Sequence, residues 1–144
     1  MTSYETIFNR FLRKIDDPEL AVQLSENAEW VEEEFTGYLH SAVAKQLKVI
    51  ESDTITFYDP EGYIEEDLSD FEIEILALGM LVEYLTPLVN RVSNMKMILG
   101  GKEEKFFSQA SHMSELRSLL SDSEIRLRKL VRDHGYEYNS YIDT

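Results

Sequence analysis

The chain has 144 residues, a formal net charge of −14 and no cysteine, which bounds it to one domain without disulfides or thiolate metal sites. Up to Asn90 the sequence holds 20 acidic and 5 basic residues, and after Asn90 it holds 8 acidic and 9 basic residues. This imbalance argues against DNA binding by phosphate neutralisation over the whole surface. It leaves simple solubility, DNA mimicry, or a surface that DNA slides past without adhering.

The first 50 residues are predicted to form three helices. An amphipathic segment over residues 4–14 follows Ser3 and predicts the first. A short second helix is expected over residues 18–24, because proline favours the first helical position. Ser25 or Asn27 is expected to cap the third helix. Its apolar face comprises Val31, Phe35, Leu39, Ala42, Val43, Gln46, Leu47 and Ile50.

A β-hairpin insertion is predicted over about residues 54–65. β-branched and aromatic residues flank the turn sequence DPEG at residues 59–62, which has proline at its second position and glycine at its fourth. Because an isolated two-stranded hairpin is marginally stable in water, it must lie on the helices or on a neighbouring chain. We expect it to project from the helices and contact an adjacent subunit or another protein.

A strongly apolar helix should form the centre of the core. Ser69 and Glu72 have the spacing of a capping box at its start. Gly79 would allow another helix to approach closely, and Pro87 is expected to kink or break the helix. Glycines at residues 100–101 should end its continuation. The expected core comprises Phe71, Ile75, Leu78, Val82 and Leu85, packed against Val31, Phe35, Leu39 and Val43.

The last third of the chain is predicted to be one long amphipathic helix followed by an extended tail. The helix should begin near Lys102 and stop at Gly135, a length of roughly 45–50 Å at 1.5 Å per residue. It is longer than a domain of this size can cover. In an extended tail over residues 136–144, Tyr136 and Tyr138 would share one side and Tyr141 would lie on the other. Such a helix and tail indicate docking and assembly.

Catalysis and metal binding have little support in the sequence, so we expect no enzyme activity, no cofactor and no metal. His40, His112 and His134 are far apart, and each fits a helix surface. The carboxylates within residues 29–34 fit a solvated helix face, because no second acidic pair has the spacing of a magnesium site. A basic stretch over residues 126–132 could contact phosphate, although a solvated helix edge or pairing with the acidic half is favoured.

Several segments resemble one known family. They are EIEILALGM at residues 72–80, EYLTP at 83–87, GGKEEKFFSQA at 100–110, LVRD at 130–133 and YEYNSY at 136–141. With these segments the chain resembles the small helical head–tail connector (adaptor) proteins of tailed bacteriophages that infect Gram-positive hosts. The likeness covers roughly residues 69–141.

The patterns along the chain predict a mainly α protein: a helical bundle with a long carboxy-terminal helix, a small β-hairpin insertion and an extended tail, in one domain over residues 1–144. The resemblance implies a helical bundle as well. It implies a ring of about twelve copies beneath the phage portal, which joins the capsid to the next neck or tail protein and lets double-stranded DNA pass. The protein would lie in the virion neck, and in the host cytoplasm before assembly. No membrane is involved, since no apolar run approaches the roughly 20 residues of a span.

Two groups of residues are the candidate sites for that role. The aromatic tail is expected to bind the portal, because tyrosines combine apolar area with a polar tip. The acidic half is expected to line the DNA passage. The alternative function is an acidic DNA mimic that inhibits a DNA-binding enzyme. The portal-binding candidates are Tyr136, Tyr138, Tyr141 and Ile142, and the DNA-channel candidates are Glu32, Glu33, Glu34, Glu65, Glu66 and Asp67.

Overall fold

A computed structural model gives the fold of the chain. It describes residues 1–15, 26, 28–47, 55–99 and 104–139. Within these ranges the side chains of residues 28, 30, 47, 91–99, 104–113 and 134–139 are not described. The expected helix over residues 18–24, both proposed caps of the third helix, and the glycines at 100–101 lie outside the described residues.

The described residues are mainly helical, with a small antiparallel sheet, as the sequence predicts. In the described ranges, four helices and three short strands follow one another. In order they are β1 (Thr2–Ser3), α1 (Tyr4–Leu12), α2 (Ala28–Ala42, continued by a π-helical turn, Val43–Leu47), β2 (Phe57–Tyr58), β3 (Tyr63–Ile64), α3 (Asp70–Leu99) and α4 (Glu104–Asn139).

Helix α1 begins as expected, because the Ser3 side chain accepts a hydrogen bond from the Glu5 amide and caps the helix. Its apolar positions recur at helical spacing, so one face of α1 packs into the core and buries Ile7 and Phe11 completely. On the opposite edge, Arg10 lies 3.3 Å from a carboxylate oxygen of Asp70, at the first residue of α3.

Helix α2 packs against α3 at a point of close approach. A methyl group added to Gly79 would lie 3.0 Å from the Ala42 side chain, so glycine is required for the two backbones to come this near. This confirms the expected role of Gly79. The buried side of α2 holds the predicted residues Val31, Phe35, Leu39, Ala42 and Val43.

The predicted hairpin is present, but the expectation that it projects from the bundle is wrong. Strands β2 and β3 are joined by the predicted turn, in which Gly62 adopts a positive φ of 78°. The amino-terminal strand β1 pairs with the other edge of β3, giving a three-stranded sheet in the order β1-β3-β2. Ile64 is fully buried in the core. The third strand and this apolar contact stabilise the hairpin within its own chain.

Helix α3 starts at the predicted capping box. The Ser69 amide donates to a Glu72 carboxylate oxygen at 3.1 Å, and the Glu72 amide donates to the Ser69 hydroxyl oxygen at 3.2 Å. Pro87 lies inside the helix and does not break it, contrary to one of the two expected outcomes. Burial of Leu85 and Val89 on either side of Pro87 accounts for this, because core packing offsets the lost backbone hydrogen bond.

Helix α4 continues past the expected stop at Gly135 and ends at Asn139. A glycine ends a helix when it adopts the left-handed conformation. Among the described glycines Gly62 alone has a positive φ, so Gly135 continues the helix at a cost of about 1 kcal/mol relative to alanine. The extended tail is therefore wrong for residues 136–139, and Tyr136 and Tyr138 belong to the last turns of α4.

One hydrophobic core joins all four helices to strand β3. Of the nine predicted core residues, seven are buried, and Phe71 and Val82 are partly buried against them. The sequence analysis did not predict the contributions of β3 and α4. The largest fully buried side chains are Phe11, Ile7, Leu39, Ile64, Ile75, Leu76, Leu78, Met80, Leu81, Leu85 and Val31.

Leu78→Ala should lower the free energy of unfolding by ~2–5 kcal/mol, because Leu78 is 1% exposed and its loss leaves a cavity among packed neighbours. Leu119→Ala is the matched control, since Leu119 is also a helical leucine but is 38% exposed. Urea titration of both variants measures the difference. A loss below about 1 kcal/mol for Leu78→Ala would mean that the centre of the core lies elsewhere.

Candidate functional site

Helices α3 and α4 form a long pair that dominates the molecule. At 30 and 36 residues they are about 45 and 54 Å long. Only residues 100–103 lie between them, and they pack against each other, so they run antiparallel. The main contacts of α4 are with α3. The residues of α4 that are buried or partly buried on that side are Leu116, Leu120, Ser123, Leu127, Leu130 and Val131.

Over residues 114–133, whose side chains the structure describes, the side of α4 opposite its buried row is open to solvent and carries Ile125 as its large apolar residue. Ile125 is 56% exposed, more than any other large apolar side chain of the described residues except Met1. It lies two residues beyond buried Ser123, which places it about 200° round the helix from that inward position. Ile125 is not among the residues predicted from the sequence, because it falls outside the row of apolar residues that recur at helical spacing along α4. That mismatch is itself the signal that could have identified it.

A basic cluster follows Ile125 on α4. It comprises Arg126, Arg128, Lys129 and Arg132, and all four side chains are exposed. The ion pairs among the described side chains involve the amino terminus, His40, Arg10, Lys14 and Lys45, and none of them includes a residue of this cluster. Pairing of the basic stretch with the chain's own acidic half is therefore not seen within the described part of the chain.

The portal-binding candidates lie at the far end of α4. Tyr136 and Tyr138 are part of the helix, so their positions lie on opposite sides of its axis, about 200° apart, rather than on one side of a strand. Tyr141 and Ile142 lie outside the described residues. The structure thus keeps two of the four candidates on one element and changes the geometry in which they would meet a partner.

The six DNA-channel candidates fall into two groups on different elements. Glu32, Glu33 and Glu34 are exposed in the first half of α2, and the other three follow strand β3. Glu33 and its two neighbours form no ion pair with the described side chains. Within the described part of the chain, these α2 carboxylates therefore present negative charge to solvent without a paired cation.

The acids after β3 are held more tightly than the sequence suggests. Glu66 is half-buried, and its carboxylate accepts a hydrogen bond from the Thr56 amide at 2.9 Å. Burial raises the pKa of Glu66, but the hydrogen bonds that its carboxylate accepts from Thr56 and from its own amide, together with the positive amino terminus, outweigh burial and hold the pKa below its usual value. Asp67 forms an ion pair with the amino terminus of the chain. Glu65 is exposed, and its carboxylate forms no ion pair with the described side chains.

A polar cluster that the sequence did not predict joins α1, α2 and the hairpin turn. The Tyr4 hydroxyl donates to Asp59, and His40 Nε2 lies 2.9 and 3.0 Å from the two carboxylate oxygens of Asp59. The His40 ring stacks on Phe57 with ring centres 3.9 Å apart. No local motif could reveal it, because Tyr4 and Asp59 are 55 residues apart.

The electrostatics of this cluster favour a structural role. Burial and the hydrogen bond to Asp59 raise the pKa of Tyr4 above its ordinary value. Burial also raises the pKa of Asp59, but the hydrogen bonds from Tyr4 and His40 outweigh it, so the pKa lies below its usual value. A protonated tyrosine and an ionised aspartate form a stable donor–acceptor pair and supply no activated nucleophile.

The described residues contain no cluster of three or more histidine, aspartate and glutamate side chains that could hold a metal ion. Within the same residues, every helix is too short or too polar to cross a membrane. Comparison with family models, curated proteins and solved structures finds no match to this chain. The resemblance to head–tail connectors therefore rests on the sequence segments alone.

Tyr4→Phe should flatten the alkaline loss of stability. The folded pKa of Tyr4 is raised, so its contribution is fully present below the unfolded pKa of about 10 and is lost as pH rises above it. Above pH 10 the free energy of unfolding of the wild type should therefore fall by up to about 1.4 kcal/mol per pH unit more than that of the variant. Urea titrations between pH 8 and pH 11 measure both slopes, and parallel profiles would contradict the coupling.

Proposed function

We propose that this chain is a structural assembly subunit, a head–tail connector in the neck of a tailed bacteriophage. The observation that carries the proposal is helix α4, 36 residues long, packed mainly on α3 and open to solvent on its other side. A helix that exposes an isoleucine and four cations along one side has the composition of an interface. The family resemblance of residues 69–141 supplies the biological setting.

In this role, copies of the chain form a ring of about twelve subunits beneath the portal. The end of α4 and the residues after it attach to the portal, and the opposite end of the ring receives the next neck or tail protein. Because residues 136–139 are helical, the attachment uses the end of a helix rather than a strand added to a sheet. Double-stranded DNA passes through the centre without sequence-specific contacts.

The exposed acids suit the wall of a DNA passage. Glu32, Glu34 and Glu65 are all exposed, and none forms an ion pair with the described side chains. Like charges on the wall and on the DNA phosphates repel, so packaged DNA would not adhere as it moves. Glu66 and Asp67 contribute less, because each is engaged within the chain.

Deleting residues 136–144 should abolish binding to the portal protein of the same phage while the core stays folded. The deletion removes one helical turn and the residues after it, which include none of the described core residues, whereas interface tyrosines contribute ~2 kcal/mol or more each at hot spots. Circular dichroism with urea titration checks the fold, and native mass spectrometry of the full chain, alone and with portal, checks ring and complex.

A substitution variant distinguishes specific binding by the tail from non-specific binding by exposed aromatic side chains. Changing Tyr136, Tyr138, Tyr141 and Ile142 to serine should weaken portal binding as the deletion does. Tyr58→Ser, which changes an exposed tyrosine of strand β2, should not. Undiminished portal affinity in the deletion variant would refute the docking role and favour the DNA-mimic function, for which the tail is dispensable.

An assembled ring should present Glu65 and at least one of Glu32 and Glu34 to its central passage, because Glu32 and Glu34 lie about 200° apart round α2 and cannot both face the same way. Cryo-electron microscopy of the ring measures this directly, because the position of each acid relative to the central axis is read from the map. A ring with all of the acidic candidates on its outer surface would end the passage hypothesis. It would leave the connector role itself intact.

A further inference from the structure

Of the glycines whose surroundings the structure describes, Gly37 is the one whose identity the chain's own fold does not explain. Gly79 is required by the nearby Ala42 side chain, and Gly62 by its positive φ. Gly37 lies in the middle of α2 with ordinary helical φ, is exposed, and has nothing within 4 Å of where a methyl group would stand. Glycine inside a helix is destabilising. The packing of the described residues does not account for that cost.

The surface around Gly37 is a notch beside negative charge. Glu33 lies four residues earlier, one turn of the helix away and on the same outward side. Glu29 is also exposed, one further turn toward the start of α2. The outward side of α2 thus presents, from its start, two carboxylates followed by a site with no side chain.

The outward side of α4 presents the complementary pattern in reverse order. Ile125 protrudes, and Lys129 follows it by four residues on the same side of the helix. Arg132 comes next, and Ser121 and Ser118 precede Ile125 with small exposed side chains. From Ile125 onward, the pattern is one large apolar residue followed by two cations.

We propose that α2 of one copy packs antiparallel on α4 of a second copy, with Ile125 seated in the notch at Gly37. The spacing fits: a four-residue step from Gly37 back to Glu33 matches the four-residue step from Ile125 on to Lys129. In this register Lys129 lies opposite Glu33, and Arg132 lies beside Glu29. A single alignment of the two helices therefore places the large side chain of Ile125 against the notch and pairs two cations with two carboxylates.

The contact is heterologous, because the two faces differ, and repeated head-to-tail packing of this kind closes into a ring or extends as a filament. The inference deepens the proposed function and rests on it only for the expectation that the chain assembles. It assigns Glu33 to the subunit interface and leaves Glu32 and Glu34, on either side of it, for other surfaces.

Cysteine cross-linking of the full chain tests the register, because the wild type has no cysteine. Gly37→Cys and Ile125→Cys, purified separately and mixed under a mild oxidant, should give disulfide dimers that contain one copy of each variant. Leu119→Cys is the matched control on α4, since Leu119 is exposed but lies about 120° round the helix from Ile125. Equal cross-linking of Gly37→Cys to either partner would overturn the proposal.

Charge exchange tests the specificity of the interface. Glu33→Lys and Lys129→Glu should each weaken self-association by about tenfold or more, and the double variant should recover most of it. Sedimentation velocity of the full chain measures the association. Failure of the double variant to recover, or a wild type that stays monomeric at about 100 µM, would overturn the proposal.

Gly37→Ala separates folding from assembly. It should raise the Tm of the monomer by about 4 °C, because alanine is the better helix former, and weaken self-association because the methyl group fills the notch. Unchanged association would contradict the seat at Gly37. If the chain assembles through this contact but does not bind portal, the connector role is refuted and the proposed interface stands. If it forms a portal-binding ring through another interface, the proposed interface is refuted and the connector role stands.

Discussion

The fold depends on covering helix α3, which is apolar on nearly every side. Residues 75–81 are buried without interruption, including positions that face opposite directions on a helix. A helix of this kind is stable in water only if neighbours surround it. Helices α1, α2 and α4 pack on it, and the close approach at Gly79 lets α2 do so with almost no gap. The sheet then covers the start of the bundle through buried Ile64.

The distribution of charge follows from the same requirement. Three of the five cations in the first 90 residues, Arg10, Lys14 and Lys45, pair with acids of α3 and hold α1 and α2 against it. This leaves most acids of the amino-terminal part without a cationic partner in the described structure. The negative surface is thus a consequence of how the few cations are used, and the separate basic cluster on α4 stays available for an external partner.

Features encoded by neighbouring residues could be predicted from the sequence, whereas features formed by distant residues could not. The capping box at Ser69, the hairpin turn ending at Gly62 and the inward face of α2 each depend on residues a few positions apart. The pairing of β1 with β3 and the bond from Tyr4 to Asp59 depend on partners about 60 residues away. Nothing in Thr2 and Ser3 distinguishes a strand from a loop. The sequence predicts a helix stop at Gly135, but a glycine only permits a helix to stop and does not require it.

The short strand β1 also has a consequence for the order in which the chain folds. Helices α3 and α4 are joined by only a few residues, so they meet at small entropic cost, whereas Ser3 reaches Tyr63 by closing a loop of about 60 residues. We therefore expect the helical pair to form early and the sheet to close last. In hydrogen exchange, the Tyr4 amide bonded to the Gly62 carbonyl should open well before the amides of α3.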